Sequence, residues 1–170
     1  VKKNELILMN QTHSAKVIEV TRDNYKKKMN SDALITKVKG LALGVVTADC
    51  VPVIIYDLEN EIIGCIHAGW KGAFSGVIKN TINKVKKINS KNKIVACIGP
   101  CIGKRSYEVD LTFYKKFLNR SKKNKKYFFH KNKNKKLFNL RKFVADKLIE
   151  LKVKVDHVNR DTFREKMNFF

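Results

Sequence analysis

The sequence predicts one domain of the α/β or α+β class, built on a mostly buried mixed sheet. Three observations predict it. Apolar runs rich in Val, Ile and Leu recur along the 170 residues. Amphipathic stretches with helical spacing lie between them. Neither an internal repeat nor a Pro/Gly/Ser-rich linker divides the chain, so residues 1–170 read as a single unit. Hydrophobic residues make up 44% of the chain, which is a globular composition.

The elements follow in order. Residues 6–9 and 16–20 read as short strands on either side of NQTHSA. Residues 41–47 and 51–56 have the continuous Val/Ile/Leu character of strands buried on both faces. A polar turn at 58–61 leads into a strand at 62–66, the expected hairpin partner of 51–56. Gly69 breaks that strand. From 71 to 88, Phe74, Val77, Ile78, Ile82 and Val85 recur at helical spacing. Residues 94–98 form a strand that ends in the Gly99-Pro100 turn. Residues 111–118 read as a helix. So do residues 137–151, with Leu140, Phe143, Val144, Leu148 and Leu151 along one side. Residues 153–158 are the last strand.

The net charge is +22, which invites a nucleic-acid reading. Of the 37 basic residues 31 are Lys and 6 are Arg. Base and phosphate readers lean on the planar Arg fork. Scattered Lys among Asn reads instead as solvated surface, with no specific nucleic-acid partner and a weak attraction to polyanions that fades with salt. The densest run, residues 120–136, is interrupted by Tyr127, Phe128 and Phe129. It reads as a solvated insertion with one buried aromatic strand. The longest apolar run, 41–56, is broken by Asp49 and Pro52, so no membrane span is expected. The first ten residues hold too short an apolar stretch for a secretory signal. Cys50, Cys65, Cys97 and Cys101 are not spaced like a secreted disulfide framework, which points to reduced thiols in the cytoplasm. The chain starts at Val1 and stops on Phe169-Phe170. Either the two terminal rings dock into the core, or the sequence is a fragment.

Polar groups with chemical potential sit at strand ends, where α/β sheets place function. His13 lies in NQTHSA, Cys50 in TADCVP and His67 in CIHAGW. Two imidazoles and a thiolate suit Zn2+, and Cu2+ also accepts them. Three protein ligands leave a position open, as catalytic zinc sites do. Their separation along the chain does not itself bring them together, and a buried Cys commonly acts as a small hydrophobe. After His67, Gly69 and Gly72 bracket Trp70 and Lys71 where a strand gives way to a helix. Free N–H groups near Gly72 together with Lys71 make a candidate phosphate site. The alternative is that the glycines let the helix pack closely. Trp70 either stacks on a planar ring or caps the core.

At these residues the sequence resembles the multicopper polyphenol oxidase, or laccase-domain, family, also described as zinc-dependent purine nucleoside phosphorylases. The matching segments are QTHSAKV, TADCVPVIIYD, IHAGWKGAFSGVI and IGPCIGKRSYEV, in the family's order, with TFREKMNFF resembling the start of its closing motif. The resemblance implies an α-β-β-α layered fold with His13, Cys50 and His67 as metal ligands. It implies purine nucleosides and phosphate as substrates, with free base and ribose 1-phosphate as products. Adenosine deamination and methylthioadenosine cleavage are further implied activities, and a homodimer is an implied assembly. The sequence departs from the family's pattern at its ends. A Gly-Gly-Val-Ser stretch and an Arg-containing terminus are missing, and Asp161-Thr162 stands where many members have Cys-Thr. Within this reading Asp49 is a candidate general base, or the group that orients a ligand histidine, or only a backbone turn bond. Lys71 is the candidate for phosphate. Gln11 and Trp70 are candidates for base recognition. Rival readings are copper-dependent phenol oxidation, a metal-free hydrolase with Cys50 as nucleophile and His67 as base, and an inactive remnant with a polyanion-binding surface.

Overall fold

The computed structural model describes residues 5–169. Residues 1–4 and Phe170, and with Phe170 the expectation for the terminal ring pair, lie outside them. In chain order the elements are β1 (Leu6–Asn10), β2 (Val17–Glu19), β3 (Met29–Asn30), β4 (Ala33–Thr36), β5 (Ala42–Gly44), β6 (Val51–Asp57) and β7 (Ile62–Ala68). Then come α1 (Trp70–Ser75), α2 (Val77–Ile88), β8 (Ile94–Ile98), β9 (Glu108–Asp110) and α3 (Leu111–Arg120). A 3-10 helix (Lys122–Tyr127), β10 (Phe128–His130), β11 (Lys135–Phe138), α4 (Leu140–Glu150), β12 (Lys154–His157) and α5 (Lys166–Phe169) follow.

Six strands form the central sheet in the order β12-β8-β6-β7-β4-β2. The β6–β7 pair is the expected antiparallel hairpin, running from Val51 opposite Ala68 to Asp57 opposite Ile62. The β12–β8 and β4–β2 pairs are parallel, so the sheet is mixed. Side chains alternate between its faces. Ile35, Val53, Ile66 and Ala96 join Ile78 and Ile82 of α2 and Val144 and Leu148 of α4 in one buried cluster. Leu34 and Cys65, one step out of phase, join Ile7, Met9 and Met29 in a second. That second cluster lies under a small parallel sheet, β3-β1-β5. The α/β class and the mixed sheet are as expected, but residues 51–56 do not lie buried on both faces: β6 alternates, with Val51, Val53 and Ile55 buried and Ile54 exposed.

Several boundaries differ from expectation, each for a local reason. The helix expected over 71–88 is two helices. Gly76 takes a left-handed conformation (φ 102°), ends α1 with its N–H on the Gly72 carbonyl, and starts α2. The periodicity runs through the break unchanged, so only the glycine signals it. The helix expected from 137 begins at Leu140, because Leu137 and Phe138 pair with Phe129 and Phe128. Asn139 then caps α4, accepting from the Lys142 N–H. The strand expected at 41–47 shrinks to the half-buried Ala42–Gly44 rather than lying buried on both faces. Strands β3, β4, β9 and β11 were not legible as strands. Within 120–136 the buried ring is Tyr127, at the end of the 3-10 helix, while Phe129 on β10 is exposed. Among the described residues no helix is long and apolar enough to cross a membrane.

Candidate metal centre

The register of the central sheet builds the centre. Ala33 faces Ile66 across β4 and β7, so Asp32 and His67 meet one step further along. The His67 N–H donates to the Asp32 carbonyl at 2.8 Å, and its Nδ1 lies 2.8 Å from Asp32 Oδ1. Across β6 and β7, Val51 faces Ala68, which sets Cys50 beside Gly69. His13 arrives from the loop between β1 and β2.

That loop is wrapped around Asp32, which is fully buried. The carboxylate accepts the backbone N–H groups of Thr12, His13 and Ser14 at 3.2, 2.9 and 2.6 Å. It also accepts the hydroxyls of Thr12 and Ser14 at 3.0 and 2.7 Å. Three successive N–H groups turned on one anion force a tight bend. His13 stands at its centre with φ 57°, a conformation uncommon for a residue with a Cβ. Burial by itself would raise the Asp32 carboxyl. The bonds from His67, Ser14 and Thr12 outweigh it and hold the group far below the ordinary carboxylate range. An ionised carboxylate only accepts, so His67 Nδ1 carries the hydrogen toward Asp32, which leaves Nε2 as the ring nitrogen that a neutral imidazole would offer to a metal.

One ligand atom each from His13, Cys50 and His67 lies within 4.8 Å of the others, the one such group among the described residues. The two imidazoles meet edge to face with centroids 4.8 Å apart. Gly69 closes the cradle. A Cβ there would stand 2.9 Å from Cys50 Sγ, 3.3 Å from His13 Cδ2 and 3.7 Å from His67 Cε1. Two imidazoles and a thiol that converge beside a glycine with no room for a methyl group fit a metal ion. Burial, followed by the charges of Asp49, Cys101 and Asp32, pushes the Cys50 thiol up. Without a cation it is therefore held as the thiol.

The other expected site residues separate into different roles. Among the described residues it is Asp32, not Asp49, that bonds a histidine of the group. Asp49 Oδ1 instead accepts the Thr162 hydroxyl at 2.7 Å, and its carbonyl accepts the Ile102 N–H at 3.0 Å. Asp161 accepts from the Gly103 N–H and the Ser106 hydroxyl, so the Asp161-Thr162 pair braces the chain beneath Cys50. Gln11 gives both ends of its amide to the Val46 backbone, at 2.8 and 3.0 Å, extending the β1–β5 pairing. Gly72 is buried, and a Cβ there would stand 2.9 Å from the Ser14 carbonyl, which fits close packing of α1 on the His13 loop. Trp70 caps the core against Phe113, with ring centroids 4.9 Å apart. Lys71 is exposed, its ammonium 5.8 Å from the Trp70 ring. The residue that sequence reading missed is Asp32. It stands directly before ALIT, a run of four residues too short to read as a strand, so no local signal marks it.

Fold and donor set together define a mixed-sheet α/β protein with a three-donor centre able to hold a metal ion. The chain belongs to the family described as multi-copper polyphenol oxidoreductase laccase, which matches residues 1–170. It is 36% identical over 170 residues to a purine nucleoside phosphorylase of Rickettsia conorii, covering 99% of this chain and 70% of that protein. A purine nucleoside phosphorylase of Rickettsia prowazekii is 37% identical over 164 residues, covering 95% of this chain and 68% of the relative. The solved structure of the Bacillus licheniformis hypothetical protein YfiH superposes with a TM-score of 0.88 at 26% identity, covering 96% of this chain and 66% of that one. The chain thus spans about two-thirds of the length of these relatives.

Proposed function

We propose that the chain carries the metal centre of a purine nucleoside phosphorylase, with zinc held by His13, Cys50 and His67. The observation that carries the reading is the convergence of these three donors on the Gly69 cradle. The names of the relatives support the substrate class. Zinc bound there supplies a Lewis acid with an open coordination position. Asp32 fixes the His67 tautomer and the His13 turn before any ligand arrives, which removes a reorganisation cost from binding. Asp49, next to Cys50, is our candidate to take a proton from substrate. Lys71, exposed at the start of α1, is our candidate to meet phosphate. Adenosine and inosine are the expected nucleosides, with adenosine deamination and methylthioadenosine cleavage as further activities of the same centre. Four free cysteines fit a reducing cytoplasm.

The test incubates zinc-loaded protein with adenosine, with and without phosphate, and separates the products. Adenine that forms only with phosphate is the expected result. Inosine formed without phosphate would make deamination the principal activity. No product from folded, zinc-bearing protein would overturn the reading for this chain. Copper-dependent phenol oxidation is the second reading, favoured by the family's description. A single three-donor group among the described residues argues for one ion rather than a copper cluster.

A further inference from the structure

A groove of about 430 Å³ opens between the start of α2, the end of α3, the 3-10 helix and α4. Five cations line it, Lys79, Arg120, Lys123, Lys126 and Lys147, against one carboxylate, Glu150. High net charge does not by itself account for this. A second groove of about 770 Å³, beside Gly103 and Arg141, has three carboxylates, Asp146, Asp161 and Glu165, among its own cations. In the first groove Lys126 pairs with Asp146 and Lys147 with Glu150. Among the described residues no carboxylate pairs with Lys79, Arg120 or Lys123. Arg120 instead lies over the Phe74 ring, 4.7 Å from its centroid. The floor is aromatic, with Tyr127 and Phe143 buried beneath the charges. An apolar floor lowers the local dielectric and strengthens attraction for an anion. The first turn of α2 adds no acid and no side-chain cap.

We propose that this groove binds an oligophosphate anion, at a site separate from the His13–Cys50–His67 centre. Cations contributed by four elements suit several linked phosphates better than one. The volume is that of a small-ligand site. A single-stranded nucleic acid is a poorer fit, because successive bases need exposed aromatic platforms. The exposed ring of this region, Phe129, does not line the groove. Tripolyphosphate and the tail of a nucleoside triphosphate share the recognised chemistry.

Calorimetric titration of the full chain at roughly physiological salt tests the proposal, with tripolyphosphate, a nucleoside triphosphate and a short single-stranded RNA as probes. Saturable one-to-one binding of tripolyphosphate is expected. Equal affinity for the nucleoside triphosphate would assign recognition to the phosphates, and tighter binding would add the nucleoside to the ligand. Replacing both free lysines, Lys79→Gln with Lys123→Gln, should weaken binding about tenfold or more. The control pair Lys27→Gln with Lys28→Gln, on an exposed turn outside the groove, should change it less than about twofold. Equal losses in both variants would reduce the effect to diffuse surface charge and overturn the proposal. Binding of RNA with no saturable binding of either small anion would overturn it too. Nucleoside turnover should be unchanged in the groove variant, which separates this test from that of the metal centre.

Discussion

The two sides of the candidate metal centre are built differently. On the histidine side one buried carboxylate, Asp32, gathers His67, the His13 turn, and the hydroxyls of Thr12 and Ser14. All of these lie within the first 67 residues; the register of β4 against β7 sets Asp32 beside His67, and hydrogen bonds to Asp32 hold the His13 loop. On the cysteine side, Cys50 follows Asp49, whose carboxylate is held by Thr162, 113 residues away. One side is a closed network around a single anion, and the other is braced by a C-terminal segment resting on a surface turn. The contrast teaches where preorganisation resides. The His67 imidazole and the His13 backbone are held by Asp32 with no metal needed, while the thiol, pushed up by burial and neighbouring negative charge, becomes a good donor only when a cation arrives.

Removing the hub should have the largest effect. Asp32→Ala strands three backbone N–H groups and His67 Nδ1, and should cost about 3–5 kcal/mol of stability in denaturant unfolding. Asp32→Asn keeps the volume but offers an N–H where only acceptors fit, and should lower zinc affinity about 10- to 100-fold in a competition titration. Wild-type zinc affinity in Asp32→Asn would remove the hub from the account. Gly69→Ala comes next. Its methyl group meets Cys50 Sγ at 2.9 Å, so it should weaken zinc binding about tenfold while costing about 1–3 kcal/mol of stability. A large stability loss with unchanged zinc affinity would make Gly69 a packing residue only.

Thr162→Val probes the cysteine side and should act more mildly. It deletes one hydrogen bond to a half-buried carboxylate and should cost about 1 kcal/mol, with zinc affinity shifting less than about threefold. A loss as large as that of Asp32→Asn would abolish the distinction between the sides. The smallest effect concerns acid. The Ser106 hydroxyl and the Gly103 N–H outweigh burial at Asp161 and hold its carboxyl below its ordinary value. A depressed carboxyl stabilises the fold above its unfolded pKa, and that contribution is lost as pH falls. Asp161→Asn should therefore be less stable than wild type at neutral pH, with the gap closing below about pH 4 in thermal melts. A gap that persists into acid would assign the loss to shape and not to charge.

The same contrast explains what the sequence made legible. The long apolar runs of β6 and β7 and the helical spacing of α2 declared themselves, because each buries a regular face. His13, Cys50 and His67 stood out as polar groups at strand ends, and four ordered motifs joined them. Asp32 did not, because it precedes a strand of only four residues and its partners come from a loop about 20 positions earlier. Nothing local distinguishes such an Asp from a turn residue. Asp49 drew attention by standing next to Cys50, but the pairing of β4 with β7 gives His67 to Asp32 instead. The hairpin formed by β10 and β11 was hidden by its lysines, since alternation over three or four residues is too short to read against a dense charge run.

The most direct measurement is zinc-edge X-ray absorption on wild-type protein, with metal content determined in parallel for Cys50→Ala and His67→Ala. Expected are about one zinc per chain, a first shell containing one sulfur and two imidazole nitrogens, and loss of that zinc in both variants. A shell without sulfur, or full zinc retention in either variant, would contradict the three-donor centre.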